Sequence, residues 1–243
     1  MAKLRILYNN AITSAAIGGT SAPNLLTDLK SQTSTGTSFT LSTTSLTGPI
    51  AIIAVLAENP GSITMTLTSP ATTPNAVTEA TGNEFASNTV GYGGTKYIAL
   101  YTTVSAATSF TVTFSQSVKV SRFIVGNYWE PKYNTSFGIS VGHDDLTQYE
   151  RLQSGDLYAT LGPRHKTLSF ELQYIDTSEK FTLYQILRGI GKTKPIFISA
   201  FPDNSADREQ EQMYSIYGRL TNLPPISYRI FSMYQSQFEL QEF

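Results

Sequence analysis

Alternation of apolar and polar positions dominates the first half of the chain. Residues 63–68 read Ile-Thr-Met-Thr-Leu-Thr, and residues 110–114 read Phe-Thr-Val-Thr-Phe. A period of two with threonine at every other position is the pattern of a strand with one face in a core and one in water. Residues 118–125 begin with the same alternation and end wholly apolar. Residues 50–56 and 97–101 are almost continuously apolar and read as inner strands. Turn clusters punctuate these runs at Gly48-Pro49, Asn59-Pro60-Gly61, Ser69-Pro70 and Gly91-Tyr92-Gly93-Gly94. The Ser/Thr-rich residues 31–47 keep Phe39, Leu41 and Leu46, which makes them strand-like rather than disordered. Residues 69–95 are poor in aliphatic side chains and read as long loops. Roughly eight short strands with such turns predict a β-sandwich or jelly roll.

The second half predicts α+β. Strands are expected over residues 137–141, 157–161, 167–174, 195–201, 215–220 and 235–240. One helix is expected between a cap at Asp176 or Thr177, with Glu179 in a near capping-box position, and a stop at Gly189 and Gly191. Phe181, Leu183, Tyr184, Ile186, Leu187 and Ile190 give it a wide apolar stripe, which predicts packing on a sheet face. The fold class expected is mainly β: a sandwich domain over residues 1–127 and a second β domain with one flanking helix over residues 128–243.

Composition sharpens the boundary. Residues 1–127 hold 39 Ser or Thr and ten charged residues, whereas residues 128–243 hold 25 charged residues. The change falls at Tyr128-Trp129-Glu130-Pro131, which contains the only tryptophan. Net charge is −1, with six basic against four acidic residues before the boundary and eleven against fourteen after it. Neither half is a basic nucleic-acid surface. There is no cysteine, so disulfide and thiolate chemistry are excluded. The longest apolar run, residues 50–57, is far too short to span a bilayer. Residues 1–8 read as a first strand rather than a signal peptide. A soluble protein made in the cytosol is expected.

Catalytic equipment is sparse. His143 and His165 are the only histidines, and His143-Asp144-Asp145 lacks the third or fourth convergent ligand of a metal site; it reads as a polar turn with an Asx-type hydrogen bond. The one Gly-x-Ser-x-Gly spacing, Gly138-Ile139-Ser140-Val141-Gly142, falls on a run read as a strand rather than at the strand-to-helix turn of a nucleophile elbow. Asp203, Asp207, Glu209 and Glu211 read as a solvated loop, not a carboxylate pair. The segment Gly91-Tyr92-Gly93-Gly94-Thr95-Lys96 lacks the spacing of a phosphate loop and precedes a strand, so it reads as a glycine turn. Its Tyr92, with Tyr97 on the strand that follows, is a candidate glycan contact, against the reading of both as strand and core aromatics. Tyr128, Trp129, Tyr133 and Phe137 crowd the boundary. Aromatics anchor contacts between domains and between subunits alike, so these four are candidate interface residues of either kind. No catalytic residue, metal or cofactor is expected, and the chain is not expected to be an enzyme.

Several stretches resemble tailed-bacteriophage tail-tip proteins. The opening Arg5-Ile6-Leu7-Tyr8-Asn9-Asn10, followed by Pro23-Asn24-Leu25, resembles the start of discoidin-like jelly-roll modules in such proteins. The junction Trp129-Glu130-Pro131, the segments 151–158 and 164–170, the strand Pro195–Pro202 and the final acidic-aromatic strand are similar to the continuation. The second half thereby resembles the tail-tube and distal-tail fold, with the order of modules reversed relative to distal-tail proteins. The resemblance implies a structural virion protein of a tail tip or baseplate, made in the host bacterial cytoplasm. It implies a homo-oligomeric ring that meets the tail tube, hub, tape measure or fibres, with the sandwich module outward and a host surface glycan as a further partner. The other class kept open is a carbohydrate-binding or adhesion module with no ring role.

Overall fold

The computed structural model describes residues 3–29, 31–57, 62–69, 72–79, 96–135, 138–202 and 207–242, with backbone alone for 72–79. β1 (Arg5–Leu7), β2 (Ile12–Ile17) and β3 (Thr20–Ser21) open the chain, and a 3-10 turn at Pro23–Leu26 leads to β4 (Ser34–Leu56). β5 (Ile63–Ser69), β6 (Thr72–Glu79), β7 (Lys96–Trp129), β8 (Ser140–Asp145), β9 (Gln148–Arg151), β10 (Leu157–Thr160) and β11 (Arg164–Asp176) follow. Helix α1 (Lys180–Ile190), β12 (Ile196–Ser199), helix α2 (Arg208–Met213), β13 (Ser215–Leu220), β14 (Ser227–Ile230) and β15 (Met233–Glu242) complete it. The protein is mainly β, as the alternation predicts.

β4 and β7 are long because each serves both layers of the sandwich. Residues 34–42 of β4 pair with residues 109–120 of β7, whereas residues 50–56 lie between residues 96–102 and 120–127 of that same strand. Ile52, for example, faces Val125 on one side and Leu100 on the other. The first layer continues through β2 and β3 on one flank and β5 and β6 on the other. The core between the layers contains Phe39, Phe114 and Phe123, with Phe39 at 5.1 Å from Phe123 and 5.8 Å from Phe114 between ring centres. β5 behaves as its alternation predicts: Ile63, Met65 and Leu67 are buried in this core.

The second layer does not stop at the domain boundary. The end of β7 pairs with β1, Ile6 opposite Trp129, and β1 pairs in turn with β12. β13, β15, β11 and β8 carry the sheet onward. One face of this extension forms a second core in which Leu183, Ile186, Leu187 and Ile190 of α1 pack with Leu4, Ile6, Trp129, Phe170 and Phe238. The opening strand, which the sequence groups with residues 1–127, thus belongs to the second core. Its apolar residues find an unpaired edge there, between β7 and β12.

Several local readings shift. The N-cap of α1 is Glu179, and no side chain caps it. Asp176 and Glu179 instead close the turn before it: the Asp176 N–H donates to Glu179 Oε2 (3.3 Å), and Asp176 Oδ1 accepts from the Ser178 N–H (3.0 Å). Asp207, Glu209 and Glu211 do not lie in a loop. Asp207 caps α2 by accepting from the Gln210 N–H at 2.9 Å, and Glu211 is buried against Arg208 at 2.6 Å. Asp203 lies outside the described residues. Within the predicted loop 69–95, residues 72–79 form β6 against β5.

Gly126 shows why the N-terminal crossing demands glycine. A Cβ there would stand 2.3 Å from the Asn9 carbonyl oxygen, a backbone atom that cannot swing away. The adjacent Ala11 N–H donates to Val125 O at 2.7 Å, and Asn10 Oδ1 accepts from the Val125 N–H at 3.1 Å. Gly126→Ala is expected to destabilise by about 1–3 kcal/mol through overpacking; chemical denaturation of the variant checks it. Trp129→Ala, which empties part of the second core, is expected to cost about 3–5 kcal/mol. An unchanged denaturation midpoint would show that Trp129 is a spectator.

Candidate functional site

The continuous apolar run of residues 50–56 is buried on both faces. Ile50, Ile52, Ala54 and Leu56 point into the sandwich core, and Ala51, Ile53 and Val55 point the other way. Tyr97, Ala99 and Ile124 join that outer face, and Leu7, Phe197 and Tyr217 of the second domain cover it. Tyr97 meets Phe197 edge to face at 5.6 Å. The result is an apolar seam between two cores.

Polar clamps close the seam on the two strands flanking Val55, which lies opposite both Tyr97 and Arg122. On one side the Gln212 amide pairs with the Tyr97 backbone. Its Oε1 accepts from the Tyr97 N–H at 2.8 Å, and its Nε2 donates to the Tyr97 carbonyl. The Tyr97 hydroxyl donates to Glu242. Lys166 sits behind, buried, with Nζ donating to the carbonyls of Gln212 and Ser215 at 2.8 Å each. On the other side Arg122 is ion-paired with Asp28, and the Tyr217 hydroxyl donates to Asp28 Oδ1 at 2.9 Å. The Arg122 guanidinium also lies 5.4 Å from the Tyr217 ring centre. Burial, and next to it Glu242, pushes the Tyr97 phenol well above its ordinary range. Burial likewise pushes Tyr217 up to about 12, and burial lowers Arg122.

The four boundary aromatics take different places. Tyr128 packs at the edge of the seam, 5.5 Å edge to face from Tyr101, and the Arg5 guanidinium lies over both rings at 4.9 and 4.2 Å. Trp129 belongs to the second core. Tyr133 is exposed beside Tyr174, 6.5 Å between ring centres. Phe137 lies outside the described residues, as does Tyr92. Tyr97, paired with it as a glycan candidate, is 2% exposed, so its ring has no open face for a sugar. The seam claims it because it alternates with Ile98 across a strand buried on both sides.

His143, Asp144 and Asp145 lie in β8, opposite Lys166, His165 and Arg164 of β11, not in a turn. Asp145 ends the strand with the expected Asx-type bond: its Oδ1 accepts from the Thr147 hydroxyl and N–H, and Oδ2 meets Arg164 Nε at 2.7 Å. These contacts, the Thr147 hydroxyl first, lower its pKa. Among the described residues, no three His, Asp or Glu side chains converge as a metal site. An open cleft of ≈ 550 Å³ separates α1 from the N-terminal crossing. Two of its polar side chains are already engaged: Asn10 accepts from the Val125 N–H, and Asp28 holds Arg122 and Tyr217.

Two exposed apolar features lie at opposite ends of β11. The first is an arm. Among the described residues β9 and β10 pair only with each other, and all four residues of each strand are exposed. Tyr149, Leu157 and Tyr158 stand on it, with Leu146 and Leu161 at its root and Leu152 at its tip, each 49–66% exposed. The root is a close crossing, where a Cβ on Gly162 would stand 2.1 Å from the Leu146 carbonyl oxygen. The tip is closed by the Leu152 N–H to Asp156 O (2.9 Å), the Gly155 N–H to Leu152 O (2.8 Å) and Gly155 at φ +91°. The second feature is an aromatic belt around the start of α1 and the β14–β15 turn. Phe181, Tyr184, Tyr228, Ile230 and Phe231 are exposed there. Lys180 binds the Tyr234 hydroxyl at 2.8 Å, and Arg229 lies 5.0 Å from the Tyr174 ring centre. The stripe of α1 is therefore split: its Leu and Ile residues face the core, while Phe181 and Tyr184 face out.

Sequence reasoning missed the arm. Residues 157–161 read as a strand, and nothing local distinguishes a strand over a core from one with no core beneath it. Comparison with protein-family models, with curated proteins and with solved structures produced no match for this chain.

The tyrosine clamps predict alkaline sensitivity. Both phenols are held neutral in the folded state, so their stabilisation is complete below pH ~10 and drains away as pH rises through the raised folded values; for Tyr217 that value is about 12. Thermal melts from pH 9 upward are expected to fall less steeply in Tyr217→Phe than in the parent. At neutral pH the same variant loses about 1 kcal/mol with the hydrogen bond to Asp28.

Proposed function

We propose that this chain is a structural, self-assembling protein, a ring component of a bacteriophage tail tip or baseplate. The observation that carries the assembly reading is the β9–β10 arm. An isolated two-stranded hairpin is marginal in water because it buries too little. Here the chain holds one in place by its root and tip alone, and leaves its tyrosines and leucines exposed. Exposed apolar surface of that kind marks a contact with another protein. The sealed seam supports the same reading, since a rigid junction transmits load between a sandwich and an assembly domain.

The phage setting rests on the sequence resemblance of residues 5–10, 129–131, 151–158, 164–170 and 195–202. In this reading the second domain forms the ring and meets tail tube, hub, tape measure or fibres. The sandwich, rich in Ser and Thr, faces outward. The protein would reside in the virion tail.

Replacing residues 148–160 with a short glycine-serine turn tests the carrying observation. The parent chain is expected to form a defined oligomer by light scattering as concentration rises. The shortened chain is expected to stay monomeric with an unchanged melting temperature, because the arm contributes nothing to either core. A parent that stays monomeric up to its solubility limit overturns the reading.

A further inference from the structure

We infer that the landing surface of the arm is the aromatic belt of a second copy of this chain. This rests on the self-assembly reading above and specifies its contact. Four observations point to it.

The two surfaces cannot meet within one molecule. The arm leaves the sheet before Arg164, at the start of β11, and the belt surrounds Asp176, at its end. A strand rises about 3.3 Å per residue, so this 13-residue strand separates them by roughly 40 Å. An arm that seats on a belt therefore seats on a neighbour's.

The surfaces match in chemistry. Pairing of Glu150 with Tyr158 puts a ring and a carboxylate side by side on one face of the arm, the face opposite Arg151. The belt offers exposed rings of similar size in Phe181, Tyr184, Tyr228 and Phe231, the last 89% exposed. Ring-on-ring and ring-on-leucine contacts are the usual anchors of such an interface.

The charges are complementary. The arm carries Glu150 and Asp156 against one cation, Arg151, whose Nη1 is turned to the Gly155 carbonyl. The belt carries Lys132, Lys180 and Arg229 with Asp176 and Glu179. Asp176 is engaged by Lys132 at 2.8 Å, and Glu179 by the N–H groups of Lys132 and Asp176. Lys180 and Arg229 sit against rings, presenting positive charge among aromatic faces.

Finally, the belt has an open edge. Among the described residues β14 pairs with β15 alone, and all four of its residues are exposed. Backbone groups on its outer side can accept a visiting strand, and the arm supplies strands with open edges of their own.

The chain has no cysteine, which makes a cross-link test unambiguous. Full-length Tyr158→Cys and full-length Phe231→Cys proteins are mixed and oxidised, with Leu29→Cys, exposed on the sandwich, as control partner. The arm–belt mixture is expected to give covalent dimers at least ten times more abundant than either control mixture. Charge reversal gives a second readout. Glu150→Lys with Asp156→Lys in the arm, or Lys180→Glu with Arg229→Glu in the belt, is expected to weaken assembly at least ten-fold. An equimolar mixture of the two reversed proteins is expected to recover an arm–belt contact. An oligomer whose cross-links do not exceed control, and which tolerates both reversals, overturns the arm–belt contact while leaving self-assembly standing. A chain that never assembles overturns both.

Discussion

Everything else in this molecule is arranged around one strand buried on two sides. Residues 50–56 carry seven consecutive side chains, none more than 2% exposed. Alternate residues serve alternate cores, so neither domain is complete without the strand, and the strand has no wet face. Burying a Val, Leu or Ile side chain stabilises by about 1.5–3 kcal/mol. The seam side, with its Ala, Ile and Val and the aromatic cover of Tyr97, Phe197 and Tyr217, therefore rivals a small core of its own. Domains linked only by a flexible tether would leave that face in water. The continuous sheet through β7, β1 and β12 adds backbone hydrogen bonds across the same line.

Polar groups then set how the two domains register. An apolar seam alone could slide, since dispersion contacts have little direction. Gln212 reads the backbone of Tyr97 as a strand would, and Asp28 gathers Arg122 and Tyr217 at the neighbouring strand. Gln212 to Tyr97, Tyr97 to Glu242 and Tyr217 to Asp28 all cross between the two domains, so a shift of one residue would strand several buried polar groups at once. Lys166 belongs to the same logic. Its ammonium is held by two carbonyls of the α2–β13 corner, which fixes the corner that presents Gln212.

Against that closed interior the second domain leaves apolar surface open at its two ends. Leucines and tyrosines of the arm gain nothing from the monomer. Of the outward rings, Phe181 lies against Lys180 and Tyr228 against Tyr234. The seam between the domains is sealed, and the exposed apolar surfaces of the second domain lie about a strand-length apart.

The period-two alternation determined β5 and the strand at 110–114, because a half-buried strand writes its two environments directly into neighbouring residues. The mainly β class, the helix between Asp176 and Gly191 and the strand at 215–220 were legible for the same reason: local period and turn chemistry specify them. The unbroken apolar run at 50–56 announced burial but not what lay on each side. Only the fold showed that one side is the sandwich core and the other a seam with the second domain. Tyr97 and Trp129 illustrate the limit. Each is an aromatic on a strand by sequence, yet one closes a domain seam and the other fills a core with the opening strand and α1. The arm is the reverse case, since the mostly apolar residues 157–161 read as a strand over a core, yet all four residues of the strand they form are exposed. Sequence reports what each side chain prefers; which long-range neighbour arrives to satisfy it, or fails to, is settled by how β4, β7 and β1 cross in space.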